Sequence, residues 1–241
     1  MPPTNAKIFS ENNPNLRVDF NDVKLISKIE EKGLNVRWEK MCVCPCRKDI
    51  SSQAVVDCIN CDGTGWYFFG SQNIKALVSG AQFSRNFLMW TENLSGSVII
   101  TVDPIYKVGW NDKLVILDAE TVFSEVKQVK ILNEDDGIKT IKLRYPANTI
   151  VSAFSYLNSD ENLRALDLNN LTINGHYLTI NDNVIEEGEN ISLVYYYNPS
   201  YLVVDNLNDY RNTYVKNKLP EEQLRKLPIK VLAKKLHLVW V

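Results

Sequence analysis

Five cysteines crowd between positions 42 and 61 of a 241-residue chain. They restrict the fold more than any other feature. The stretch reads Cys42-Val43-Cys44-Pro45-Cys46 and, eleven residues later, Cys58-Ile59-Asn60-Cys61-Asp62-Gly63-Thr64-Gly65. Zinc prefers tetrahedral thiolate coordination, and two close cysteine pairs on two turns supply it. Cys44, Cys46, Cys58 and Cys61 are therefore the expected ligands of a Zn2+ ion. The second pair is the stronger half, because glycines after a Cys-x-x-Cys step adopt positive φ and let backbone N–H groups turn toward sulfur. The first pair is a shorter Cys-x-Cys step, so Cys42 with Cys44 or Cys46 is an alternative choice. Free buried cysteines, a disulfide, an iron–sulfur cluster and a redox pair are the competing chemistries; the last lacks the βαβ surroundings it needs.

Four thiolates close the coordination sphere. A catalytic zinc keeps an open position and usually takes histidine or carboxylate ligands. The only histidines, His176 and His237, lie more than a hundred residues downstream and read as a turn residue and a strand residue. The site is thus expected to staple two loops rather than to react. No Gly-x-Ser-x-Gly elbow, Walker loop, Gly-x-Gly-x-x-Gly or His-Glu-x-x-His is present, and Asp135-Asp136 reads as turn chemistry, so an enzyme is not expected.

Charge bears on the partners. The chain carries 27 basic and 29 acidic side chains, net −2, whereas a dedicated nucleic-acid binder usually shows a basic excess. The alternative of a zinc-knuckle nucleic-acid-binding protein rests on Arg37, Lys40, Arg47 and Lys48 around the cysteines, with Trp38 and Trp66 as stacking platforms. Glu39, Asp49, Asp57 and Asp62 offset those cations. No run of about 18 apolar residues is present to span a membrane, and residues 1–17 show no signal-peptide core. The expected setting is a reducing cytoplasm, where clustered cysteines favour metal over disulfide.

The remaining pattern is mainly β, with sandwich or barrel-like modules, a short N-terminal helix and a small zinc-bound loop region. Residues 1–17 read as an extended polar arm and 18–70 as helix plus four-cysteine region. Residues 71–146 read as one β module and 147–241 as a second, with a clasping segment at 206–227. The helix is expected over 19–33, capped by Asp19 or Asn21 and stopped by Gly33. Frequent short β-branched runs separated by turn signals indicate strands, with hairpins at Asn133–Gly137 and at Asn174-Gly175-His176. Residues 220–226 carry helical potential. Residues 158–190 contain seven acidic residues and one arginine, while 211–241 contain eight basic and two acidic residues. Opposite faces of that kind would let copies dock head to tail and close a ring.

The leading helix, the Cys-Pro-Cys-Arg loop, the Cys-x-x-Cys-x-Gly-Thr-Gly knuckle and the β-rich body together resemble a structural protein of tailed bacteriophages. The stretch Ile191–Tyr201 followed by Asp209-Tyr210-Arg211 is similar to neck or connector components, and Leu227–His237 resembles their closing strand. The resemblance implies a virion protein without catalytic residues, a head–tail connector (neck) or tail component present as a ring of copies. It further implies adjacent portal, neck or tail proteins as partners, non-specific contact with packaged DNA, no membrane, and assembly in the host cytoplasm. Cys44, Cys46, Cys58 and Cys61 carry over as metal ligands.

Overall fold

The computed structural model describes residues 22–47, 53–55, 58, 60–61, 64–80, 96–131, 139–156, 163–181, 185, 188–207, 212–214 and 224–236. The expected arm at 1–17 and the cap candidates Asp19 and Asn21 lie outside them, as does the centre of the Asn133–Gly137 hairpin. The fold is mainly β with a single α-helix among the described residues, as the sequence pattern requires.

Helix α1 spans Asp22–Lys32 and buries Ile29 while Lys28, Glu30 and Glu31 face solvent. Gly33 ends it: its N–H donates to the Ile29 carbonyl at 2.8 Å, and a Cβ there would come within 2.3 Å of that oxygen. The chain continues as β1 (Leu34–Val43), β2 (Trp66–Gly80), β3 (Ser97–Val102) and β4 (Lys113–Ile116). It then forms β5 (Thr121–Gln128), β6 (Lys130–Ile131), β7 (Lys139–Lys142), β8 (Ala147–Tyr156) and β9 (Arg164–Ala165). Next come β10 (Leu171–Asn174), β11 (Tyr177–Ile180), β12 (Asn190–Tyr197) and β13 (Ser200–Asn206). Last are β14 (Asn212–Tyr214), β15 (Leu224–Lys226) and β16 (Ile229–Lys235).

These strands divide between two compact units, Met1–Val115 with Ser200–Val241, and Ile116–Pro199. The expected modules 71–146 and 147–241 follow chain order; the units do not, because the second is inserted between two neighbouring strands of the first. The first unit holds a closed barrel with strand order β1-β2-β3-β16-β13-β4. Closure removes the exposed strand edges that an open sheet would present. Its interior is apolar: Val36, Ile74, Ala76, Ile100, Val102, Leu114, Val203, Val231 and Ala233 are all buried. β1 and β2 form one long hairpin, from Leu34 opposite Ala76 to Val43 opposite Trp66, with a bulge between Trp38 and Lys40. In the segment 206–227, β14 pairs with β15, so the described part of the expected 220–226 helix is strand: Glu221, Glu222, Gln223, Leu224, Arg225 and Lys226 have helical propensity, but cross-strand pairing sets the outcome at Leu224–Lys226.

The second unit contains two four-stranded sheets, β10-β11-β7-β6 and β5-β12-β8-β9. The inward side chains Ile191, Leu193, Tyr195 and Tyr197 of β12 share a core with Ile141, Leu143, Leu178 and Ile180. Tyr145 stacks on Tyr197 with centroids 4.3 Å apart, and Phe123 meets Tyr145 edge-on at 4.9 Å. The buried Tyr195 hydroxyl donates to Glu125 Oε1 at 2.7 Å, which satisfies its polar end. The hairpin at Asn174–Tyr177 is present, with Gly175 supplying φ +60°.

Candidate metal centre

The cysteines sit at the open end of the β1–β2 hairpin, where the chain must leave one strand and re-enter the other. Just past β1, Cys44 donates its N–H to the Gly65 carbonyl at 2.9 Å, and Arg47 donates to the Cys44 carbonyl at 3.0 Å, closing a tight turn through Pro45. On the second segment, Cys58 N–H donates to Val55 O at 3.1 Å. Thr64 binds the Cys61 carbonyl twice, through its N–H at 2.9 Å and its hydroxyl at 2.6 Å. Gly65 adopts φ +76° and directs its N–H to Cys61 Sγ at 3.3 Å. A side chain at Gly65 would be strained by that φ and would place a Cβ 2.5 Å from Arg47 Cδ. This is the role the sequence assigns to a glycine after the knuckle.

These turns bring Cys44, Cys46, Cys58 and Cys61 together, with all four Sγ atoms within 4.8 Å of one another. Cys44 Sγ lies 3.7 Å from Cys58 Sγ, and Cys46 Sγ lies 3.6 Å from Cys61 Sγ. A tetrahedral ion with metal–sulfur bonds of about 2.3 Å spaces its ligands by about 3.8 Å. The sulfurs therefore fit one four-coordinate ion. They are far beyond the disulfide bond length of about 2.05 Å, and all are free thiols. A multi-iron cluster would spread its ligands over several metal atoms, for which this tight group has no room. Cys44 and Cys61 are buried, and Cys46 and Cys58 are half-buried. Cys42, the alternative ligand, lies within the β1 ladder opposite Tyr67 and is not among the four.

The protonation chemistry suits a cation. Backbone N–H groups of Asn60 and Cys61 hold the Cys58 thiol down at about 7. The Cys46 N–H also pulls Cys44 down, but burial and the sulfurs of Cys46, Cys58 and Cys61 outweigh it and leave that thiol at about 12. The Cys46 thiol is raised as well: the Val55 N–H lowers it, and burial with the Cys61 and Cys58 sulfurs prevails. One sulfur is ready to ionise, and its neighbours resist a second and third negative charge until a positive ion joins them.

Of the basic residues proposed for nucleic acid, the three that are described have other partners. Arg37 Nε pairs with Glu39 at 2.9 Å, and Glu39 also takes Lys113 at 2.9 Å. Lys40 Nζ donates to Asp112 Oδ2 at 2.8 Å and to the Lys107 carbonyl at 2.6 Å. Arg47 lies over the Trp66 ring at 5.1 Å, and Lys48 is outside the described residues. Trp38 is buried rather than offered for stacking, and its Nε1 donates to Asp112 Oδ2 at 2.8 Å. Asp112 is a residue that sequence reasoning missed; the Gly109-Trp110-Asn111-Asp112 turn was its only local signal. His176 belongs to the second unit, with Nδ1 3.3 Å from the Leu143 carbonyl, and His237 lies outside the described residues. No protein-family model and no curated protein matches the chain, so the chemistry of the site carries the functional reading.

Proposed function

We propose that this chain is a virion structural protein of a tailed phage, a ring-forming component of the neck or tail in which each subunit is stiffened by one structural zinc. The observation that carries the reading is the closed four-thiolate group at the end of the β1–β2 hairpin. Cys44, Cys46, Cys58 and Cys61 would hold the ion. Zinc is favoured because it has no redox chemistry, no geometric demand beyond the tetrahedron, and a liking for thiolates. With all four positions taken by protein, the ion clamps two chain segments and offers no vacancy to a substrate. A staple suits a loop of this kind, because metal binding contributes directly to folding where an apolar core is lacking. The resemblance to neck and connector components supplies the rest of the reading, including neighbouring portal or tail proteins and assembly in the host cytoplasm.

The test is direct. Particles assembled with an epitope-labelled copy should carry the label at the head–tail junction or tail in negative-stain images. Purified virions free of label would rule the reading out.

A further inference from the structure

The four sulfurs of the metal centre are not equivalent, and their differences come in pairs. Cys44 and Cys61 are buried, while Cys46 and Cys58 are half-buried. Two contacts each join one of either kind: Cys58 Sγ lies 3.7 Å from Cys44 Sγ, and Cys46 Sγ lies 3.6 Å from Cys61 Sγ. Both contacts run between the two chain segments, across separations of 14 and 15 residues. An accessible thiolate beside a resolving cysteine is the arrangement in which oxidation ends in a disulfide.

We propose that this centre is a redox-exchangeable staple: hydrogen peroxide converts its four metal-binding thiolates into the disulfides Cys44–Cys58 and Cys46–Cys61 and frees the ion. The starting state rests on the zinc assignment, whereas the pairing rests on the sulfur geometry. The Cys58 thiolate attacks peroxide, the O–O bond breaks, a sulfenic acid forms and hydroxide leaves. The Cys44 thiolate then attacks the Cys58 sulfur, forming the S–S bond and expelling the second oxygen as hydroxide. Cys46 and Cys61 repeat both steps with a second peroxide. Each bridge gives up two electrons and each peroxide takes two. The thiolate is the metal ligand, so four neutral sulfurs no longer hold a divalent ion.

Four cysteines allow three pairings, and the structure separates them. To reach a bond of about 2.05 Å, the sulfurs of each proposed pair move by roughly 0.8 Å apiece. Pairing within segments would force a Cys44–Cys46 bridge over Pro45 alone, whose φ is fixed, in a turn held by the Arg47 N–H on the Cys44 carbonyl. The third pairing would join buried Cys44 to buried Cys61, leaving that bridge no accessible sulfur for the oxidant to strike. Because both proposed bridges link the two segments, the end of the β1–β2 hairpin stays tied after the metal has gone.

Treating the zinc-loaded full chain with a few-fold excess of hydrogen peroxide tests this. A zinc-binding dye follows release, and trypsin maps the bridges after free thiols are alkylated. Trypsin cuts after Arg47 and Lys48, so Cys44 and Cys46 fall in peptide 41–47 and Cys58 and Cys61 in peptide 49–75. The expected result is loss of the zinc together with a disulfide-linked pair of these peptides, which fragmentation resolves into Cys44–Cys58 and Cys46–Cys61. Cys42→Ser should leave that map unchanged. The oxidised, metal-free protein should melt at least about 6 °C above metal-free protein kept reduced. Separate peptides, each bridged within itself, overturn the proposal. A Cys44–Cys61 bridge, a linkage through Cys42, sulfinic acids without bridges, or zinc that stays bound overturns it equally. If no metal is found before peroxide is added, the zinc assignment fails on its own, and the peptide map still decides the pairing.

Discussion

Replacing Asp112 by alanine should cost the barrel unit about 3–4 kcal/mol. The carboxylate is buried, and its Oδ2 accepts from Trp38 Nε1, Lys40 Nζ and the Gly109 N–H, each at 2.8 Å. Removing it strands the buried Trp38 indole N–H and the partly buried Gly109 N–H. An unsatisfied buried donor costs about 1–3 kcal/mol. Lys40 loses less, because its side chain is 36% exposed and keeps the Lys107 carbonyl. Asp112→Asn retains one acceptor oxygen but turns an amide N–H₂ toward the lysine, and should cost about half as much. Urea unfolding followed by far-UV circular dichroism measures both. A Trp38→Phe, Asp112→Ala double-mutant cycle isolates the stranded donor, and the double variant should be at least about 1 kcal/mol more stable than the sum of the single effects predicts. A cost below about 1 kcal/mol for Asp112→Ala, or an additive cycle, would refute the idea that this carboxylate anchors the turn.

Elemental analysis of protein prepared without chelator should find one zinc per chain. Cys58→Ser should lose it, lower Tm and open residues 38–70 to proteolysis, whereas Cys42→Ser should keep both metal and Tm; equal effects at the two positions would sink the assignment. Burial, with the Tyr197 side chain beside it, lifts the Tyr145 phenol from 10.0 to about 12, and burial together with the Glu125 hydrogen bond lifts Tyr195 too. Since the folded phenols hold their protons longer than unfolded ones, their stabilisation is complete below pH 10 and drains away as pH rises through about 12. The urea midpoint should therefore fall steadily above pH 10, less steeply in Tyr195→Phe, and a flat midpoint up to pH 11.5 would contradict this.

What sequence alone revealed depended on separation along the chain. The four clustered cysteines, the Gly65 knuckle and the Gly175 hairpin are local patterns, and spacing exposes them. The Trp38–Asp112 bond joins residues 74 apart, with no pattern at either end to pair them. The module boundaries misled for the same reason: Val115 of β4 and Ser200 of β13 are ladder partners although a whole sandwich lies between them. At Leu224–Lys226, good helix formers became strand because Asn212–Tyr214 offered a ladder. The alternation of β5 is written in the sequence, but which side is inward becomes known only once Phe123 is seen against the tyrosines.

The insertion has a consequence for how the molecule is made. Its two ends are tied together, with the Ile116 N–H donating to the Pro199 carbonyl at 3.0 Å. Bringing β4 and β13 together across the 84 intervening residues as loose chain would cost about 4 kcal/mol of closure entropy, against about 1 kcal/mol for a short turn. If the sandwich forms first, it delivers the two barrel strands already side by side. The later part of synthesis then completes a cylinder whose hardest join has been made for it, and damage to the sandwich core would slow barrel closure without touching a single barrel residue.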